Sequence, residues 1–294
     1  MKGHIMRTLI SLTPAPARHW VGNGFHVSPV FSHMGEKRQT SPFLMFDYAM
    51  PQEFAPNFAA PRGVGEHPHR GFETVTIAYH GEVAHRDGSS AAGVIQAGDV
   101  QWMTAGAGTV HEEFHSEAFS RAGGLFEMAQ IWVTLPRAHK NAPPRYQHLR
   151  SENIPVVNVD GGAIRLIAGS LNGINGAADT FTELNIWDVR VHAGASLTLD
   201  LPANHNLAVL VRQGDVLFND THRASAAQLA IFEREAGAIR ISNTGDADAE
   251  LILLSGVPID EPIAAYGPFV MNTREEILEK IHDFNAGKFG HLTA

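Results

Sequence analysis

The chain has no cysteine among its 294 residues, which removes disulfides, zinc thiolates, iron–sulfur clusters and thiol redox chemistry together. No apolar run reaches 18 residues, so no membrane-spanning helix is expected, and the amino terminus lacks the layout of an export signal. Positive charge is scarce: 22 Lys and Arg stand against 31 Asp and Glu, a formal net charge of −9, and no Lys/Arg-rich run occurs. Nucleic-acid-binding surfaces are ordinarily basic, so direct nucleic-acid contact is not expected. What is present is the composition of a globular protein, 44% hydrophobic and 18% charged, long enough for one large domain or two ordinary ones. The expectations left standing are a cytoplasmic, membrane-free protein and, without a coiled-coil or exposed-edge signal, a monomer.

Short β-branched and aromatic runs dominate: Thr74–Tyr79, Val94–Gln96, Val100–Met103 and Gln130–Val133, divided by Gly81, Asp87-Gly88, Gly98-Asp99, Gly106, Gly108 and Gly123-Gly124. Brief strands at this spacing predict an all-β barrel. Gly106-Ala107-Gly108 is not a nucleotide fingerprint, because no third glycine falls in register and no long amphipathic helix follows. Pro136, Pro143 and Pro144 mark residues 136–150 as an exposed linker. The β texture then returns in Phe181–Val191, Leu207–Val211, Gln228–Phe232 and Glu250–Leu254. Gln213-Gly214-Asp215-Val216 follows one strand much as His80-Gly81-Glu82-Val83 follows another, a weak internal similarity that suggests two barrels of related design. Near the end, Thr273 and Glu276 form a capping box, Ile277, Ile281 and Phe284 recur at helical spacing, and Gly287 stands at the stop, predicting a helix over roughly 274–286. The expected layout is an amino-terminal metal-binding barrel at 1–135, the linker, and a carboxy-terminal barrel with the helix at 151–294.

Two pairs carry the chemistry. His67 and His69 lie in GEHPHRGFETV, and His111 and Glu113 in GDVQWMTAGAGTVHEE. Each has i, i+2 spacing, which puts both members on one face of a strand, with Cα atoms roughly 6.5–7 Å apart. Two such strands facing each other would bring three imidazoles and a carboxylate to one point. A donor set without thiolate suits Fe(II) or another divalent first-row metal. The second half has only Asn204-His205-Asn206 where the first has its His-x-His, so it is expected to bind no metal. Most of the 17 histidines are expected to be structural or superficial; His80, His85, His148 and His205 are read that way. Glu73 is assigned to structure or to the surroundings of the site, and His115, on the face of His111 and Glu113, to its rim.

HPHRGFETV, GDVQWMTAGAGTVHEE and GPFVMNTREEI, in this order and joined by SPFLMFD and QIWVTLP, closely resemble the pirin family of the cupin superfamily. The resemblance implies a bicupin: two β-barrels, a metal in the amino-terminal one only and a degenerate carboxy-terminal one. It implies one metal ion, most often iron, on His67, His69, His111 and Glu113, with Zn, Cu, Ni, Mn or Co as alternatives. Because the family includes quercetin 2,3-dioxygenases, it also implies a flavonol and O2 as substrates, with Glu113 the best-placed base for the flavonol 3-hydroxyl. The other function the resemblance implies is an iron-containing regulator that acts through a protein partner and responds to the oxidation state of its metal.

Overall fold

The computed structural model describes residues 5–32 and 37–292. The chain divides into two compact units. The first combines the described parts of Pro16–Gly35, Phe43–Ser151 and Ile259–Ala294. Its larger sheet is antiparallel and seven-stranded, in the order Arg145–Leu149, Val100–Thr104, Phe72–His80, Gly124–Thr134, Phe43–Phe54, Phe25–Phe31 and His19–Val21. Its smaller sheet has four strands, Gly63–His69, Thr109–His115, Val83–Asp87 and Ala92–Ile95. The second unit repeats this design, again with one seven-stranded and one four-stranded sheet, as the internal similarity predicts. Its core is apolar, with Leu207, Val209, Val211, Leu251 and Leu253 packed among Trp187, Phe218 and Phe232. No helix among the described residues is long and apolar enough to cross a membrane.

The units are not cut where composition suggests. Residues 136–150 are expected to be a linker, yet Arg145–Leu149 is an edge strand paired with Val100–Thr104, Arg145 opposite Thr104 and Leu149 opposite Val100. Proline is tolerated before an edge strand, whose outer side has no ladder to complete, and this made the segment look unstructured. Strand Leu9–Pro14 pairs with Gln228–Phe232, so the amino-terminal segment belongs to the second unit. There the buried Arg7 guanidinium donates to the carbonyls of Leu201, His205 and Gly237. The carboxy-terminal helix, Arg274–Asn285, belongs to the first unit and not to the second. Sequence patterning finds such elements but carries no information about which sheet they complete.

The helix itself follows the sequence closely. Thr273 Oγ1 accepts from the Glu276 amide at 3.2 Å, and Glu276 Oε2 accepts from the Thr273 amide at 2.9 Å. Ile277, Ile281 and Phe284 pack with Phe269, Met271, Phe289 and Val110. Val110 precedes His111, so this apolar layer backs the strand that carries the second ligand pair. Gly106, in the turn that carries the chain from Val100–Thr104 in the larger sheet to that strand in the smaller one, has φ +44°, and a Cβ there would lie 2.1 Å from the Ala142 carbonyl oxygen. The glycine-rich turn therefore serves close backbone approach.

Strand parity sorts the polar residues of Phe72–His80. Thr76 pairs with Gln101 and Glu73 with Thr104; Thr76 and Gln101 point into the barrel, whereas Glu73 lies on the opposite face and accepts from Thr104 Oγ1 at 2.7 Å. Burial pushes the Glu73 carboxyl up to about 7, outweighing the hydrogen bonds that favour its charge. Its folded-state pKa thus exceeds the unfolded value, so the folded chain keeps a proton that the unfolded chain has lost between about pH 4.5 and 7. Stability should fall as pH rises through that window. Glu73→Gln is expected to flatten this slope and to raise stability at pH 8 by on the order of 1–3 kcal/mol, as read by denaturant unfolding at pH 5 and pH 8. Thr273→Ala should cost about 1 kcal/mol, seen as faster amide exchange in the helix.

Candidate metal centre

Both ligand pairs fall on adjacent strands of the four-stranded sheet, Gly63–His69 and Thr109–His115, and the register sets His111 directly opposite His67 and Thr109 opposite His69. Past His111 the register slips, and Glu113 stands opposite Val64. Gly65 and Glu66 together therefore oppose Glu112, a bulge of the kind that re-aims a neighbouring side chain. The three imidazoles meet. Ring centroids are 4.8 Å apart for His67 and His69, 4.3 Å for His67 and His111, and 4.6 Å for His69 and His111. Their donor atoms lie within 4.8 Å of one another, a group able to hold a metal ion.

Burial and hydrogen bonding fit that role. His111 is fully buried and His69 nearly so, yet both ring nitrogens of His111 and Nδ1 of His69 have no hydrogen-bond partner. Buried polar atoms are rarely left unpaired, because the loss of hydration goes uncompensated. Burial, reinforced by the neighbouring imidazoles, holds both rings well below the usual histidine pKa, so they present the neutral lone pairs that a cation needs. His67 is tied at Nδ1 to the Gly65 carbonyl at 2.8 Å; a proton on Nδ1 leaves Nε2 as the donor. Phe72 and Trp132 wall His69 at centroid distances of 5.0 and 5.3 Å.

Glu113 is buried in a cage of neutral donors: Gln130 Nε2 to Oε2 at 2.8 Å, Thr76 Oγ1 to Oε1 at 3.2 Å, and Gln101 Nε2 to Oε1. These come from three strands of the larger sheet, so Glu113 spans the barrel. It groups with His111 and His85 in a second cluster of possible metal donors, also within 4.8 Å of one another. A cavity of about 40 Å³ adjoins, lined by Asp47, Val64, His67, Glu113, Met128 and Gln130 among others. Burial pushes the Asp47 carboxyl up to about 6.

Other histidines partly depart from expectation. His80 is half-exposed beside Glu127, and His148 lies near the surface against Asp99, as expected. His205, in the second unit, is held by Ser255 and Glu183. His115 is not a rim residue: it is buried among Phe25, Phe54, Phe119 and Phe126, with Nε2 2.9 Å from the Gly24 carbonyl. His85, read as structural or superficial, is not at the surface. It is buried with its ring centroid 5.4 Å from that of His111. The signal that could have revealed it is His85-x-Asp87, another i, i+2 pair on a strand. Asp47 was legible only as the end of an apolar run.

Comparison with known proteins agrees with this picture. A family model described as Pirin matches residues 24–133, and one described as the Pirin C-terminal cupin domain matches residues 186–290. A Pseudomonas aeruginosa protein, provisionally named quercetin 2,3-dioxygenase, is 47% identical over 286 residues, covering 97% of this chain and 99% of its own. Human pirin is 34% identical, covering 87% and 85%. A crystal structure described as quercetin 2,3-dioxygenase from Acinetobacter baumannii, also 47% identical, superposes with a TM-score of 0.93 over 98% of this chain and 100% of that one. A bacterial pirin from Escherichia coli, solved in complex with nickel(II), shares the fold at 23% identity, with a TM-score of 0.62 over 85% and 100%. With both halves matched and relatives aligned over nearly its whole length, the chain belongs to the pirin family and is a bicupin with amino- and carboxy-terminal cupin domains.

Proposed function

We propose that this protein is a metal-dependent dioxygenase of the quercetin 2,3-dioxygenase type, acting on a flavonol and O2, with one Fe(II) held by His67, His69, His111 and Glu113. The observation that carries the reading is the convergence of His67 with the neutral, buried rings of His69 and His111, whose nitrogens lack partners, near Glu113 at the edge of a cavity. When bound, the ion supplies Lewis acidity toward the substrate hydroxyl and an electron route to O2. Everything else falls to the protein. Glu113 is the group assigned to take the 3-hydroxyl proton, and Gln101, Gln130 and Thr76 fix its orientation. Val64 and Met128 give the cavity an apolar wall for the flavonol rings. Asp47 lines the same space, and its raised pKa makes it a rival proton acceptor.

One observation favours the other reading, a non-enzymatic regulator that signals the oxidation state of its metal to a protein partner. The cavity of about 40 Å³ is far below the roughly 300–1,000 Å³ of ordinary small-molecule sites. A three-ring flavonol therefore enters only if the walls move apart.

Protein loaded anaerobically with Fe(II) and mixed with quercetin under air is expected to remove the flavonol absorbance, and His111→Ala to abolish this. Absence of turnover, joined to partner binding that depends on oxidation, supports the regulator. Glu113→Gln should keep part of the metal and lose most turnover; unchanged turnover rules out its role as base. Loss confined to Asp47→Asn moves that role to Asp47. Gln130→Ala, which strips an outer hydrogen bond from Glu113, should cost roughly 10–100-fold in metal affinity or turnover, measured by metal titration and steady-state assay.

A further inference from the structure

His85 has the surroundings of a metal ligand, although neither its isolated position in the sequence nor the four-residue donor set calls for it. It sits on Val83–Asp87, the strand next to Thr109–His115, and the register places it opposite Glu113 and Asp87 opposite His111. Its side chain is 0% exposed, with Nε2 3.1 Å from Asp87 Oδ2. Asp87 is fixed as an acceptor by Ser89: Oδ1 receives the Ser89 amide at 2.8 Å and the Ser89 hydroxyl at 2.6 Å. A carboxylate at Nε2 places the imidazole proton there and leaves the lone pair on Nδ1. That Nδ1 is buried and has no partner. Tyr146 stacks on the ring at 4.7 Å and 16°, holding its plane. A histidine with one nitrogen tied to a carboxylate and the other bare and buried is the outer-shell arrangement typical of metal-ligating imidazoles.

We propose that His85 is a further protein donor, so that the barrel binds its divalent transition-metal ion through two overlapping sets, His67–His69–His111 and His85–His111–Glu113. The second set is the more deeply buried, since His67 is only partly covered whereas His85, His111 and Glu113 are all buried. The shared His111 lets an ion pass from one set to the other without leaving the barrel. Imidazole-rich donors of this kind favour Fe, Co, Ni or Zn over Mg or Ca. The proposal rests on the metal reading of the site and adds a ligand and a second position to it.

The test uses the full chain loaded with Co(II), read by its visible ligand-field spectrum and by X-ray absorption at the cobalt edge. Because the first set offers three imidazoles and the second two, the wild type should average fewer than three per ion, and His85→Phe, which keeps a ring against Tyr146, should raise that number toward three and shift the spectrum. Asp87→Asn, which leaves the His85 ring in place but removes the carboxylate, should weaken Co(II) binding by roughly tenfold. His67→Ala should retain binding through the deeper set, and adding His85→Phe should remove most of what remains. The idea is overturned if His85→Phe and Asp87→Asn match the wild type in spectrum, imidazole number and affinity while the double variant binds as His67→Ala does. A wild type that takes up no Co(II) would instead overturn the metal reading itself, together with this extension of it.

Discussion

Closely spaced imidazoles deprived of both water and hydrogen-bond partners are expensive to assemble, and the amino-terminal barrel is organised around that expense. His69 and His111 give up hydration without gaining a protein partner at their bare nitrogens, a loss usually worth about 1–3 kcal/mol per group. A cation recovers that loss, and holding the rings neutral keeps them ready for it. The two strands that supply these rings are paired in register, so their convergence is built into the backbone ladder.

The surroundings of the cluster follow from the same constraint. The carboxylate is delivered past a bulge in the ladder and is steadied from the opposite sheet by two amides and a hydroxyl. The carboxy-terminal helix and its aromatic neighbours pack on Val110, on the alternate face of the strand that points His111 inward. Rigidity arrives from both sides, and little open volume is left. The donor cluster is able to hold a metal ion, while the adjoining cavity of about 40 Å³ is small.

The second unit keeps the cupin architecture, while among the described residues both clusters of possible metal donors lie in the first unit. Where the first barrel turns polar residues inward, the second fills the corresponding space with Leu, Val and Phe. His205 has partners for both nitrogens, Ser255 at 2.8 Å and Glu183 at 3.1 Å, and so lacks the bare lone pair that distinguishes His69 and His111. The fold can repeat without repeating the donor cluster, because sheet pairing depends on backbone and apolar pattern whereas a cluster of donors depends on a few side chains.

Local regularities were determined by the sequence alone. Alternation and turn residues specified the β architecture, the capping box and apolar stripe specified the helix to within about a residue, and i, i+2 spacing put His67 with His69 and His111 with Glu113 on common faces. Tertiary structure decided everything that depends on which strands become neighbours. It assigned the first strand to the second unit and the last helix to the first, turned part of a Pro-rich stretch into an edge strand, sent Glu73 to the far side of its sheet, buried His115 among phenylalanines and brought His85 beside His111. The reason is physical: parity along a strand is set by the covalent chain, but register and neighbour choice are set by long-range packing, which no short window of residues contains.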